Sequence, residues 1–567
     1  MRKSGDPRPR CDLRPHGCAH GGVFASRAGR RRAECRTWAD RALNSIFDKT
    51  WDVIVIGAGL GGGICGRALA EAGLSVLYLE QGPAAARSDV NSIDSESEDP
   101  AERARLGCWP TRVEATVNGV SLASWGAQGV GVGGTSVFYA AAMEQPERHD
   151  MESTDQVAHP TGGWPVGYDE FGPWFDRARR LMHVNGTPDP LGSTTGPLAP
   201  PRPLDPRDDA LRGAFEAAGL HPYRAHLGIR QLDGCAECIG KKCPRPCKMD
   251  GRSAGIEPAL ATGRATLLTE VTVLALVGEG RRIEAVRIRR DGQESLLRAR
   301  TYVLGAGGFG SPRLLMASAS EAWPHGCANS SGLVGRGLMF HVSERLAIWP
   351  PRGAPASAPG PRKAFSMRDL YRDGTVRMGL VQSLGLRAGY GDILHVLRQR
   401  AAAKRLGRAR LSREFLRVPA LVAARILGDA RIFVGIVEDL ADDANRVGYD
   451  PQRPGTIIFD YTISDDLMAR RERFRRLLKQ RLKGVRSLYL NYAPELNIAH
   501  PCGTLRFSDD PARGVLNRDC RAHDVDNLYV ADSSFMPSST GVNPGLTIVA
   551  NALRVAEAIR RESHASA

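Results

Sequence analysis

Three glycines spaced Gly57-x-Gly59-x-x-Gly62, with Glu80 further along the chain, form a set with a definite chemical use. The first glycine permits a tight turn, the second lets the backbone approach a pyrophosphate, and the third lets a helix pack closely on a strand. A carboxylate at Glu80 accepts a ribose hydroxyl pair and argues against a 2′-phosphate, hence against NADP. A glycine triplet alone is weak, because an ordinary βα turn can produce one. With its flanking elements and the acid it predicts a bound dinucleotide, either NAD as a travelling co-substrate or FAD as a resident cofactor.

A second set is the run CAECIGKKCPRPC, which places Cys235, Cys238, Cys243 and Cys247 at spacings x2, x4 and x3. Thiolates this close in sequence can converge on zinc or on an iron–sulfur cluster. Bacterial ferredoxin runs use x2, x2, x3, so this run carries two extra residues. Structural or disulfide-linked thiols are the alternative, and Lys241, Lys242 and Arg245 would stabilise thiolates in every case. The chain has 12 cysteines and the rest are scattered. That is no secreted disulfide framework, and without a secretory signal the expected compartment is a reducing cytoplasm.

The elements that must position these residues can be read from periodicity. WDVIVIG is a β-branched run suited to a buried parallel strand. Beyond the glycines, Ile64, Ala68, Leu69 and Ala72 recur at helical spacing, Gly73 ends the helix, and LSVLYLE is a second strand closing at Glu80. The positive end of that helix would face phosphates. Near the other end of the chain, NLYVADSSFMPSSTGVNPGLTIVANALRVAEAI runs from a buried strand through Asp532 and a polar loop into a helix. Its apolar stripe passes through Leu546, Ile548, Val549, Ala552, Leu553, Ala556 and Ile559. Asp532 taken alone reads as a cap. GTIIFDYTISDD suggests strands of an antiparallel sheet, and RVPALVAARILGDARIFVGIVED changes from helix-like to strand-like.

This layout resembles the glucose-methanol-choline (GMC) oxidoreductase family, in which the last strand and helix return to cover FAD near its ribityl chain and flavin ring. GVGVGGTSVFYAAAMEQP (129–146) is similar to the family's second glycine signature, where the backbone passes beneath the flavin. TYVLGAGGFGSPRLLMAS (301–318) resembles the strand and helix that close the nucleotide-binding half. IAHPCGTLRFSDDPARGVLNRDCRAHDVDNLYVAD (498–532) resembles the approach to the active site, and GWPVGYDEFGPWFDRARRLM (163–182) the opening of the substrate domain. The resemblance runs in order from about Asp52 to Ile559 and selects FAD over NAD.

The fold it implies is α/β: a Rossmann-like FAD-binding domain of the GMC type with a discontinuous α+β substrate domain containing an antiparallel sheet. The FAD-binding domain is expected from 50–150, 235–340 and 500–560, the substrate domain from 151–234 and 341–499, with 1–47 a disordered basic extension set aside from the fold.

The activity the resemblance implies is oxidation of the CH–OH group of a small-molecule alcohol. A hydride passes to flavin N5, and the proton needs a base with a pKa near neutrality, for which histidine is the natural choice. His500 stands where the family keeps its active-site histidine, and Asn543 where it keeps a second polar group. His500 would take the hydroxyl proton while Asn543, no base at neutral pH, orients the substrate oxygen. The expected cofactor-binding set is Gly57, Gly59, Leu60, Gly62, Glu80, Gly133, Gly134, Ser136, Val273 (at adenine), Asp532 (at the ribityl or pyrophosphate region), Asn543 and Pro544. His341 in GLMFHVSE also has a histidine counterpart in relatives and is expected to be structural. Tyr139 replaces a frequent asparagine that hydrogen-bonds near the flavin; its hydroxyl can still donate, but the ring narrows the site. In some dehydrogenase relatives cysteines in the 235–247 segment hold an iron–sulfur cluster, and in others they hold none. Some family members are lyases whose FAD takes no redox part, so a non-redox activity is the alternative. The resemblance leaves open the alcohol and the electron acceptor, whether oxygen, a quinone or a redox protein.

Composition agrees with this frame. A chain of 567 residues exceeds what one core organises, and 42% hydrophobic with 25% charged residues is an ordinary globular balance. No apolar run approaches the length of a transmembrane helix. The net charge of +15 concentrates in 1–47 and in Arg398–Arg417. Neither stretch is interleaved with aromatics for stacking bases, so no nucleic-acid partner is expected. Contact of 398–417 with an anionic membrane is the less favoured reading, behind a solvated amphipathic helix.

Overall fold

The strand Thr50–Ile56 sits mid-sheet because its apolar residues leave no face for water: Val53, Ile54 and Val55 are fully buried. The computed structural model describes residues 46–565 apart from 94–96, 194–195, 357–361, 388, 392, 395–396 and 399–414. All but the last two residues of the expected basic extension over 1–47, and most of the basic stretch 398–417, therefore lie outside the described residues. Thr50–Ile56 pairs in parallel with Val76–Leu79 on one side and with Gln293–Leu304 on the other, Val53 opposing Val76 and Thr301. Ala265–Leu268 extends the sheet beyond Val76–Leu79, and Leu528–Val530 extends it beyond Gln293–Leu304, both in parallel. The first half of Gln293–Leu304 leaves this layer to form an antiparallel meander with Arg282–Arg290 and Thr272–Glu279. This is the expected Rossmann-like half, assembled from three separate stretches of chain.

The helix Leu60–Glu71 packs against the C-terminal helix Gly545–Ala565. Close approach requires glycine: a Cβ on Gly61 would lie 1.9 Å from the Ala531 carbonyl oxygen.

A second, wholly antiparallel sheet has the order Ser487–Tyr489, Val342–Ile348, Arg431–Val437, Gly379–Arg387, Phe365–Met367, Tyr223–Arg224, and Glu495–Leu496 pairs with the end of Val342–Ile348. Beneath it lies a large apolar cluster that includes Phe215, Phe340, Phe365, Phe433 and Phe474. The helix-to-strand change over 417–439 is realised as Arg417–Leu427 followed by Arg431–Val437.

GTIIFDYTISDD departs from expectation. Its strand, Ile458–Tyr461, is no part of the large antiparallel sheet. It pairs in parallel with Val113–Val117 and antiparallel with Arg446–Gly448, in a small sheet that also holds Val120–Ser124. The TISDD half is a helix start: the Ser464 hydroxyl accepts from the Leu467 amide at 3.1 Å, and Asp465 and Asp466 occupy the first turn of Asp465–Arg481. An N-cap serine followed by two acids favours a helix end over a strand.

Candidate active site

The glycine loop and its neighbours form a cradle at the ends of the parallel strands. Gly57 has φ of 99°, and a Cβ there would lie 2.6 Å from the Gly305 carbonyl oxygen, so no other residue fits this turn. Gly59 is the N-cap of the helix that begins at Leu60, and it offers no side-chain cap; the first turn holds no acid. The leading amides of that helix are left to an anion. Gly62 faces back on the turn, where a Cβ would lie 2.2 Å from the Gly57 carbonyl oxygen.

Glu80 is buried and ties three turns together. Its Oε2 accepts from the Ala58 amide at 3.0 Å, and its Oε1 accepts from the Gly82 and Gly131 amides at 2.9 and 3.0 Å. Burial pushes its carboxyl up and these amides pull against it, with burial prevailing. A carboxylate offers about four acceptor sites, so room remains for a further donor beside the three amides.

The second glycine signature docks on the first. The Gly133 amide donates to the Ala58 carbonyl at 2.8 Å, and the Ser136 hydroxyl donates to the Gly133 carbonyl while accepting from the Gly251 amide at 2.9 Å. A Cβ on Gly134 would come within 3.1 Å of Gly59 Cα. Asp532 accepts from the Gly307 amide at 2.8 Å, from the Ser311 hydroxyl, and from the Ser534 amide at 3.0 Å, so its side chain acts as a cap and staple. Val273 lies two residues beyond Val271, whose amide donates to the Glu80 carbonyl at 3.0 Å. Pro544 opens the C-terminal helix, its carbonyl accepting from the Ile548 amide at 2.9 Å. Bare helix amides, a buried carboxylate and backbone without Cβ atoms suit an adenine dinucleotide.

Tyr139 is not the free donor expected of it. Its hydroxyl donates to the Met249 carbonyl.

His500 is half-buried and holds a relay that the sequence did not suggest. Its Nδ1 lies 3.1 Å from Nδ1 of His341, and Nε2 of His341 lies 3.0 Å from the Thr540 carbonyl oxygen. Thr540 presents that oxygen from a left-handed backbone conformation, φ 62°. A carbonyl only accepts, so His341 Nε2 carries a proton. Burial pushes the His341 pKa down to about 4, so this ring is neutral and its Nδ1 is bare. Two bare nitrogens at this distance would repel, so His500 Nδ1 donates to His341 Nδ1 and His500 Nε2 keeps its lone pair. Asn497 Nδ2 also lies 3.2 Å from His500 Nδ1, a close contact and not a hydrogen bond once that nitrogen carries its proton. Burial pushes His500 well below the usual histidine range, and the Lys363 charge adds to this. His341, expected to be structural, is thus a contact partner of the candidate base.

Asn543 lies three residues beyond Thr540 on the same loop. Its Oδ1 accepts from Gln382 Nε2 at 2.8 Å. Gln382, on the strand Gly379–Arg387, is 1% exposed, and its Oε1 has no donor among the described residues. Sequence reading missed both Gln382 and the role of His341.

The four clustered thiols pack into one small cluster with Ala225, Leu227 and Ile229. Cys238 shares a hydrogen bond with Cys243, and Cys235 shares one with Cys247. Among the described residues no group of three or more His, Cys, Asp or Glu side chains is arranged to hold a metal ion. A cation of the chain's own organises the loop. Lys248 Nζ, fully buried, donates to the carbonyls of Val137, Tyr139, Cys238 and Lys241, at 2.8, 3.2, 2.9 and 2.5 Å. Burial pulls its pKa down to about 8.

Comparison with known proteins gives this geometry relatives. Family models described as GMC oxidoreductase match residues 61–343 and 449–552. The chain is 30% identical to 6'''-hydroxyparomomycin C oxidase of Streptomyces lividus, over 90% of this chain and 92% of that one. It is 28% identical to paromamine 6'-oxidase of Streptomyces fradiae, again over 90% and 92%. The crystal structure of pyridoxine 4-oxidase from Mesorbium loti superposes with a TM-score of 0.58 at 21% identity, covering 91% of this chain and 99% of that one.

Proposed function

Because this chain belongs to the GMC oxidoreductase family, whose cofactor is FAD, we propose that it oxidises the CH–OH group of a small alcohol with His500 as the base. The observation that carries this reading is the His500–His341–Thr540 relay, which leaves one imidazole nitrogen bare and the ring uncharged.

Gly57, Gly59, Leu60, Gly62, Glu80, Gly133, Gly134, Ser136, Val273, Asp532, Asn543 and Pro544 would hold FAD, which when bound would supply the hydride acceptor. The chain's own groups handle the proton and the position of the substrate. Nε2 of His500 takes the hydroxyl proton, and the imidazolium that results keeps its Nδ1–H on His341. Asn543, with its oxygen engaged by Gln382, turns its amide hydrogens toward the substrate oxygen and holds it. That hydrogen bond strengthens as the oxygen gains negative charge, which is the form of assistance that lowers a barrier.

Gln382 Oε1 bears on the substrate class. An amide oxygen buried without a donor costs about 1–3 kcal/mol, and a second hydroxyl or an amino group beside the reacting carbinol would remove that cost. A polyol or amino sugar fits. The two similar proteins from Streptomyces, named for oxidation of hydroxyparomomycin and paromamine, support the same class.

Anaerobic addition of polyols and amino sugars to the purified flavoprotein tests the reading. Bleaching of the visible flavin absorbance with formation of one carbonyl product per cofactor is expected. Turnover with an unchanged spectrum would instead mark a non-redox, lyase-like reaction. Replacement His500→Ala is expected to slow bleaching about 10²- to 10⁴-fold, the usual contribution of a positioned base.

A further inference from the structure

Thr540 holds its carbonyl on His341 from a backbone conformation that a β-branched residue rarely adopts, φ 62°. Such strain persists only where the surroundings over-determine it, and here they converge on Asp439. Antiparallel register brings this residue to the site. Val342 faces Val437 at the end of the paired strands Val342–Ile348 and Arg431–Val437, so the next residues outward set Asp439 beside Phe340. Its Oδ2 accepts from the Phe340 amide at 3.0 Å and from the Tyr461 hydroxyl at 2.6 Å, and its Oδ1 accepts from the Leu440 amide at 2.8 Å. Phe340 immediately precedes His341.

The main chain of Asp439 holds the other arm. Its amide donates to the Ser539 hydroxyl oxygen at 2.8 Å, and its carbonyl accepts from that hydroxyl at 3.0 Å and from the Ser539 amide at 3.3 Å. The hydroxyl lies 3.3 Å from the Thr540 carbonyl oxygen itself. Ser539 immediately precedes Thr540, and Leu440 bridges to Ser538 alongside. Asp439 is buried and Ser538, Ser539 and Thr540 are fully so, so bulk water does not compete for these bonds. One residue thus grips the neighbour of His341 with its side chain and the neighbour of Thr540 with its backbone. The 3.0 Å between His341 Nε2 and the Thr540 oxygen is the gap between those two arms. At a reacting centre a misplacement of about 1 Å can cost on the order of 10²-fold in rate. Resting on the reading of His500 as the base, we infer that Asp439 is a positioning residue for the oxidation: it sets the His341–Thr540 contact and through it which nitrogen of His500 is bare.

The variant Ser539→Ala of the full-length holoenzyme tests this, because it removes the hydroxyl that joins the two arms and leaves His341, His500 and the Thr540 carbonyl in place. Nitrogen-15 NMR of histidine-labelled protein reads the tautomers without substrate, the His500 signals being those lost in His500→Ala. Wild type is expected to carry the His500 proton on Nδ1, and Ser539→Ala to give a mixture. With the amino sugar or polyol that bleaches the flavin fastest, stopped-flow reduction is expected to slow about tenfold, with substrate affinity little changed. Added to His341→Leu, Ser539→Ala is expected to slow reduction no further, whereas an independent packing defect would multiply. Asp439→Asn, which puts a donor among the groups that donate to the carboxylate, is expected to act in the same direction. Tyr461→Phe removes a hydrogen bond from the same carboxylate but touches neither arm; it is expected to lower the melting temperature and leave the reduction rate unchanged. The inference is overturned if Ser539→Ala and Asp439→Asn, folded and with full flavin content, keep the wild-type tautomer and rate. It is also overturned if the loss multiplies with that of His341→Leu, or if Tyr461→Phe slows reduction as much. The base role of His500 fails separately, if His500→Ala leaves flavin reduction unchanged.

Discussion

The imidazoles of His341 and His500 meet edge to face, their planes 87° apart and their Nδ1 atoms 3.1 Å from each other. Each ring alone is an ordinary histidine. Together, with the Thr540 carbonyl fixing the first proton, they determine which nitrogen of the second is free.

That dependence can be separated from simple packing. Replacing His341→Leu removes the acceptor for His500 Nδ1–H. The expected effect is a fall in kcat of about 10- to 100-fold, corresponding to the 1–3 kcal/mol of a buried donor left unpaired, with KM little changed. Replacing His341→Gln, whose oxygen can accept from His500 while its amide donates to Thr540, is expected to restore most of the rate. Stopped-flow reduction of the flavin measures both, and equal losses in the two variants would reduce His341 to a packing residue.

The same pair makes the protein acid-sensitive. In the unfolded chain a histidine takes up its proton near pH 6.5, whereas folded His341 does so only near pH 4. Between those values the unfolded state binds the extra proton, so stability is lost as pH falls from about 6.5 toward 4. A separation of this size is worth about 3 kcal/mol for this group. Urea unfolding at pH 7.5 and pH 4.5 should show the decline, and His341→Gln should shrink it. For catalysis the direction of the His500 shift predicts a rate of flavin reduction with no break at pH 6.5, the loss coming only at distinctly lower pH.

Gln382 should govern selectivity more than speed. Changing it to Leu removes the anchor for Asn543 and the acceptor for a second substrate donor. Loss of one buried hydrogen-bonding group costs about 1–3 kcal/mol, so kcat/KM for an amino sugar or polyol should drop about tenfold or more. The value for a matched monohydric alcohol should change less. Parallel kinetics on the two substrates provide the comparison; an equal drop on both would leave Gln382 only its support of Asn543.

The cysteine loop should behave as protein, not as a metal centre. With Lys248 already caged by four of the loop's neighbouring carbonyls, metal analysis of the holoenzyme is expected to give well under one iron or zinc per chain. Its spectrum should be that of flavin alone. Lys248→Met should release FAD or destabilise the fold, since the same ammonium fastens the loop to the segment after Gly133 and Gly134. Stoichiometric iron with a broad shoulder beyond the flavin bands would overturn this assignment.

What the sequence determined by itself is local. Glycine spacing, a β-branched run and a following helix are read residue by residue, and they pointed to a dinucleotide cradle at Gly57–Gly62, to which the resemblance joined Gly133 and Gly134. The resemblance carried by ordered motifs added His500 and Asn543. Tertiary structure decided the partnerships. His341 lies 159 positions before His500, and Gln382 lies 161 before Asn543, separations across which no periodicity speaks. The strand Ile458–Tyr461 could join either sheet on its own pattern, because β-propensity states that a segment is extended and not which edge it meets. Nor could spacing say that a lysine would fold into the middle of the four-thiol loop. Which face of the helix Arg417–Leu427 turns inward was settled only when Ala420 and Leu427, rather than the larger aliphatics, became its seat on the protein.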